Sequence, residues 1–97
     1  MRPSEALAKH RDEVLEIISR YPVSNPRVFG STARGEDVEG SDLDLLVDPE
    51  FDVTTFIHLV DLEHELRDLL SFEVDVLTPG AFSKQMADRV AKDVRPL

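Results

Sequence analysis

Gly30-Ser31, ten intervening residues, then Asp42-Leu43-Asp44 is the stretch of this chain whose residue types and spacing could do chemistry. On a strand, residues two apart project from the same face, with Cα atoms about 6.5–7 Å apart. Two carboxylates that close repel, so one holds a proton unless a cation lies between them. Mg²⁺ is a hard ion that takes carboxylate oxygens together with substrate phosphates. A two-metal site needs ions about 3.5–4 Å apart, which Asp42 and Asp44 could share. At the other end, Gly30 follows Val28-Phe29, lets the backbone turn sharply and permits close approach of a ligand. Ser31 then heads a short helix whose free N–H groups and dipole favour an anion, with its hydroxyl as a further donor. Each end alone has an ordinary explanation, a turn with a Ser cap or a solvated strand edge in an acidic chain. Their combination is far rarer: by residue usage it should arise by chance in roughly one in a thousand chains of this length. A third carboxylate, Asp75, lies between Val74 and Val76. If those valines face the core, Asp75 shares the face of Asp42 and Asp44, where it could ligate a metal or orient and deprotonate an attacking hydroxyl. Glu73 shares that face and competes for the role.

These residues need strands and helices to position them, and the apolar patterns supply both. Ser4 reads as the N-cap of a helix carrying Ala6, Leu7, Val14, Leu15, Ile17 and Ile18 as far as Arg20. Pro22 ends it, and Pro22 to Pro26 reads as a linker. Arg27 to Phe29 is a short strand, Thr32 to Glu36 one or two helical turns, and Asp37 to Ser41 a loop. Asp42 to Val47 is a second strand with Leu43, Leu45 and Val47 toward the core. Thr54 or Thr55 caps a helix to about Leu70, with Phe56, Leu59, Leu62, Leu66 and Leu69 on its apolar stripe. Phe72 to Leu77 is a third strand. After Pro79-Gly80, a last helix covers Ala81 to Val90 with Phe82, Met86 and Val90 in line. The order α-β-α-β-α-β-α describes an α/β (α+β) domain. His10, His58 and His64 take surface or packing roles, because none has partners at metal-ligand spacing.

Ninety-seven residues, 41% apolar and 32% charged, describe one ordered domain over 1–97. Twenty Asp and Glu against eleven Lys and Arg leave a net charge of −9. That balance argues against direct nucleic-acid binding, which needs a basic surface to release counterions. It does not argue against a nucleotide, since divalent metal bridges carboxylate to phosphate. The absence of cysteine excludes disulfides, thiolate metal sites and a Cys nucleophile. The stretch through Arg20 is charged and periodic, unlike a signal peptide, and no apolar run approaches the twenty or so residues of a membrane span. A cytoplasmic protein without membrane contact is expected.

The motif Gly30-Ser31, ten residues, Asp42-Leu43-Asp44, then Asp75 in a Val-Asp-Val strand, resembles the DNA polymerase β-type nucleotidyltransferase superfamily. The wording Gly-Ser-Thr-Ala-Arg-Gly-Glu and Ser-Asp-Leu-Asp-Leu-Leu-Val, in so short a chain, is similar to the minimal nucleotidyltransferases, the antitoxin half of toxin–antitoxin pairs whose partner is a HEPN-domain protein. The resemblance covers essentially the whole chain and implies a small mixed sheet flanked by helices. It implies that Gly30 and Ser31 hold the triphosphate and that Asp42 and Asp44 bind two Mg²⁺ ions. Asp75 would help hold the catalytic ion and activate the acceptor. The reaction implied is transfer of AMP from ATP to a hydroxyl, a tyrosine of the HEPN ribonuclease toxin. Two other readings stand beside it: an antitoxin that only occludes its toxin, and a nucleotidyltransferase with a small-molecule or RNA acceptor. Arg34, three residues after Ser31, is a candidate for a phosphate contact, with an ion pair to Glu36, Asp37 or a strand acid as the alternative. Lys84 is a second candidate cation. Larger superfamily members carry a further domain that grips base and acceptor, so a protein interface is expected to recognise the acceptor here; the exposed ridge of the third or last helix, including Phe82 or Met86, could form it, with core packing the favoured role of each of those two residues individually.

Overall fold

Alternation puts Leu43, Leu45 and Val47 on one face of β2 (Leu43–Pro49), and the computed structural model, which describes residues 1–97, buries all three at 0% exposure. Strand β1 (Val23–Phe29) pairs antiparallel with one side of β2, and β3 (Val74–Leu77) pairs parallel with the other. A two-residue strand β4 (Arg95–Pro96) closes the far edge against β1, giving a mixed sheet in the order β3-β2-β1-β4. The apolar face is covered by α1 (Pro3–Lys9), α2 (Arg11–Ser19) and α4 (Phe56–Leu70). Their Ala6, Val14, Ile18, Leu62, Leu66 and Leu70 form one cluster with Val28, Val74, Val76 and the β2 residues. Each of these large side chains contributes about 1.5–3 kcal/mol on burial, so this layer holds the fold.

The opposite face is covered only in part. Phe29 and Leu46, which alternate with the core-facing residues, pack on Val90 of α5 (Lys84–Asp93). Phe82 meets Phe29 edge-on, with ring centroids 5.7 Å apart and an interplanar angle of 84°. This small cluster fixes α5 beside the strand ends while leaving room next to it.

Several boundaries differ from expectation for tertiary reasons. The first helix is two helices, broken at His10 although no Pro or Gly lies there. The α1 helix lies against α3 (Gly30–Arg34), where Asp37 accepts the Ser4 N–H at 2.8 Å, whereas α2 lies against α4; the two segments answer to different neighbours. Ser4 therefore sits inside α1, and Arg2 occupies the N-cap. The expected linker Pro22–Pro26 mostly extends β1. Pairing with β2 overrides its two prolines through a register irregularity between Ser24 and Arg27, with Asn25 at φ 51°. The last helix starts later, at Lys84, after a 3₁₀ turn over Pro79–Ala81, because Ser83 accepts the Met86 N–H and caps it. Phe56 is 79% exposed and leaves the α4 stripe to Leu62, Leu66 and Leu70. Thr55 is the α4 cap, and His58 completes it by accepting the Thr55 N–H on Nδ1 at 3.0 Å. On the open edge of β3, Glu63 accepts the Val76 N–H at 2.8 Å, which occupies a donor that an edge strand would otherwise expose. No helix is long and apolar enough to cross a membrane.

Candidate active site

The register of the sheet builds the site. Asp44 pairs with Phe29 across the antiparallel ladder and with Asp75 across the parallel one. Asp75 therefore shares a face with its directly opposed neighbour Asp44, as the Val74/Val76 alternation predicts. Asp42 lies just before β2, exposed at its mouth. Phe29 ends β1 and caps α3 in extended backbone, so the turn of Gly30 falls beside Asp44.

Gly30 shows how close that approach is. Its φ is +71°, and a Cβ there would stand 2.7 Å from Asp44 Oδ2. A side chain would meet both the left-handed strain and the carboxylate. The two ends of the motif thus touch. Ser31 follows as the second residue of α3, half-buried, where a helix start leaves N–H groups without intrahelical acceptors. Gly35, at φ 71°, closes α3 by donating its N–H back toward Ser31 and Thr32 carbonyls. Asp37 then enters the interior at 2% exposure. Burial is the largest single influence and pushes its carboxyl up, but the hydrogen bonds from Ser4, its own backbone amide and the Arg2 charge together hold it below the usual range. This buried anchor ties down the loop that leads to Asp42.

Electrostatically the three carboxylates are uncompensated. None of Asp42, Asp44 and Asp75 takes part in any of the ion pairs. Burial first, then the charges of Asp75 and Asp42, push Asp44 up to about 6. No three acidic or histidine side chains are drawn together as a ready cage. The donor set is all hard oxygen, crowded and unpaired, and it fits divalent magnesium. Glu73 is removed from contention, since its carboxylate pairs with Arg67 at 3.2 Å.

A cleft of about 630 Å³ opens beside the acids between α3 and α5, lined by Gly30 and Arg34 of α3, Asp44 of β2, and Arg89 and Lys92 of α5. Arg34 realises the ion-pair alternative while lining this cleft: it donates to Asp93 at 2.9 Å and to Glu36 at 3.1 Å. Asp93 foremost, then Glu36, stabilise its charged form. Lys84 does not line the cleft; Arg89 and Lys92 do, and sequence reasoning passed over both. Their signal was a pair of cations three residues apart, flanking the one buried position of the last helix, Val90. Met86, 47% exposed, lines the same cleft, whereas Phe82 is taken up by Phe29.

A mixed sheet with helices on its apolar face, and a glycine turn held against an acid on the other, defines a nucleotidyltransferase-type domain. A candidate minimal nucleotidyltransferase of known structure matches it with TM-score 0.83 and 36% identity, over 97% of this chain and 95% of that one. The chain belongs to the nucleotidyltransferase domain family, whose model matches residues 7–97. Protein adenylyltransferase MntA of Thermococcus cleftensis is 35% identical over 88 residues, 91% of this chain and 85% of the relative. The structure of the tri-AMPylated Shewanella oneidensis HEPN toxin in complex with MNT antitoxin shares the fold, with TM-score 0.68 and 16% identity over 92% of this chain and 69% of that one.

Proposed function

We propose that this chain is a Mg²⁺-dependent protein adenylyltransferase that transfers AMP from ATP to a hydroxyl, a tyrosine, of a cognate HEPN-family ribonuclease toxin in the cytoplasm, and so acts as its antitoxin. The observation that carries this reading is the register that sets Asp44 between Gly30 and Asp75. The relation to MntA supports the protein acceptor, and the likeness to the MNT antitoxin fold supports a HEPN partner.

In this reading Gly30 and Ser31 hold the triphosphate, with Arg34 beside them, and residues 1–97 act as one minimal catalytic domain. Asp42, Asp44 and Asp75 hold two magnesium ions, which when bound supply charge neutralisation for the polyphosphate and the leaving group. Asp75 orients the acceptor hydroxyl and takes its proton. The hydroxyl oxygen forms a bond to the α-phosphorus as the bond from that phosphorus to the bridging oxygen breaks, and pyrophosphate leaves with the electron pair. Positioning and charge stabilisation carry the rate in such a transfer, with no covalent enzyme intermediate. The net charge of −9 weighs against a free RNA acceptor, so in this reading the partner protein brings the hydroxyl.

The test is incubation of the chain with its partner, Mg²⁺ and ATP labelled on the α-phosphate. Label is expected on the toxin with wild type and at least about 10³-fold less with Asp42→Asn/Asp44→Asn, the usual scale for removing electrostatic catalysis. Equal transfer by both proteins would overturn the catalytic reading. Growth rescue by the double variant as complete as by wild type would show that occlusion alone neutralises the toxin.

A further inference from the structure

In a chain with nearly twice as many acids as bases, cations that remain unpaired are informative. Neither Arg89 nor Lys92 enters an ion pair or donates a side-chain hydrogen bond, although both belong to a helix that also carries Asp88 and Asp93. Both line the cleft that contains Gly30 and Asp44. They lie one turn apart on α5, where like charges repel. Arg34, the third cation lining the cleft, is already held by Asp93 and Glu36. The cleft therefore presents two uncommitted positive charges together with an acid, with α5 fixed in place by Val90 against Phe29 and Leu46.

We infer that Arg89 and Lys92 form a polyphosphate clamp: they bind the β- and γ-phosphates of the nucleotide and the pyrophosphate that leaves. The α-phosphate must lie near Asp44 if transfer occurs there, so the tail beyond it needs a cationic surface, and the α5 lining of the cleft provides one. The planar guanidinium of Arg89 suits two phosphate oxygens at once, and the Lys92 ammonium acts as a point charge beside it. Gly30 contributes a backbone that a chain of phosphates can approach without a side chain in the way. Asp44 would repel that chain were it not for cation binding among the acids, so the clamp and the acids act on opposite ends of one triphosphate. The clamp also explains why this face can hold a highly charged anion in a protein of net charge −9. The inference rests on the nucleotidyl-transfer reading for the placement of the α-phosphate, but the binding of a bare polyphosphate does not.

Calorimetry on the full chain with three probes separates the possibilities: the non-hydrolysable ATP analogue AMP-PNP with Mg²⁺, AMP with Mg²⁺, and inorganic tripolyphosphate. In Arg89→Gln/Lys92→Gln, affinity for AMP-PNP and tripolyphosphate is expected to fall at least about tenfold, while that for AMP, which lacks the outer phosphates, changes less than about twofold. Lys84→Gln removes charge from the same helix outside the cleft and is expected to match wild type. In transfer assays the double variant should show a raised KM for ATP with kcat kept within a few-fold. Unchanged AMP-PNP affinity in the double variant overturns the clamp. An equal loss for AMP also overturns it, since the two cations would then serve the nucleoside end. Failure of the wild-type chain to bind tripolyphosphate or AMP-PNP overturns it as well. If tripolyphosphate binds through Arg89 and Lys92 and yet Asp42→Asn/Asp44→Asn transfers AMP as well as wild type, the clamp stands and the catalytic reading fails. Both side chains are exposed, so the variants keep the fold, which a melting curve verifies.

Discussion

The two faces of the sheet are built on opposite principles. One face carries Leu43, Leu45, Val47, Val74 and Val76 in an apolar cluster with residues of three helices. The other carries Asp44 and Asp75 side by side, two like charges directly opposed, beside the small cluster of Phe29, Leu46 and Val90 with Leu77, Phe82 and Val94 against it. Directly opposed like charges destabilise a strand pair, so the second face lowers the stability that the first provides. Under the proposed function the sheet tolerates this cost because its acids hold a ligand. The first comparison to break is therefore between stability and activity. Leu66→Ala on the sealed face is expected to cost about 3 kcal/mol, with a cavity left under α4, and to lose transfer only in proportion to unfolding. Asp42→Asn/Asp44→Asn should do the reverse: melt at or above the wild-type temperature at pH 8 and transfer at least about 10³-fold less. Thermal melts and single-turnover transfer on both variants check this. A double Asn variant that melts well below wild type would mean that the acids support the fold and would undo the contrast.

The hinge between the faces gives a smaller effect. Gly30→Ala meets a positive φ, worth about 1 kcal/mol, and places a methyl group 2.7 Å from Asp44 Oδ2. The carboxylate end can rotate aside, so the stability loss should stay within about 1–2 kcal/mol. Its displacement should nonetheless lower transfer about 100-fold, because misplacement of a reacting constellation by an ångström has that scale. Comparing kcat with the melting temperature tests it. Near-normal kcat in Gly30→Ala would show that the contact with Asp44 is incidental.

How much of this was legible in the residues follows the same division. The sealed face was readable because period two on β2 and β3 and the Leu62/Leu66 stripe act locally and point one way, although Leu70 rather than the expected Leu69 is the buried last member. The acid site was readable because Gly30, Asp44 and Asp75 are brought together by short connections and by parities that alternation fixes. What escaped depends on distant partners. Asp37 reads as a loop residue until the N-terminus of α1 is brought to it. Strand β4 is two residues long and exists only as a partner for Arg27 and Val28. Pro22 before β1 and Pro26 within it argued for a linker, and only the β2 pairing shows otherwise. Arg89 and Lys92 looked like one more solvated helix face until Phe29 and Leu46 seated Val90 and turned that face toward Gly30.

The smallest effect also sharpens the contrast, because it asks whether the acid face is costly in solution. Asp44 titrates at about 6 through burial and the charges of Asp75 and Asp42, against about 3.9 when unfolded. A folded-state value above the unfolded one favours the protonated form. The stability tied to this group is therefore fully present below about pH 4 and lost as pH rises through 6. The full shift would correspond to nearly 3 kcal/mol, and partial exposure of Asp44 reduces it to about 1–2 kcal/mol. Asp44→Asn stays neutral throughout. Without divalent metal it should match wild type near pH 4 and exceed it at pH 8 by that amount, a few degrees in melting temperature. Adding Mg²⁺ should reverse the order at pH 8, where the ionised carboxylates bind the cation in wild type, and have little effect at pH 5, where the proton competes for Asp44. Melting curves at three pH values with Mg²⁺ or a chelator decide the matter. A wild-type melting temperature that ignores Mg²⁺ at pH 8 would mean that the crowded acids are relieved by some other cation, and the acid face would need a different ligand.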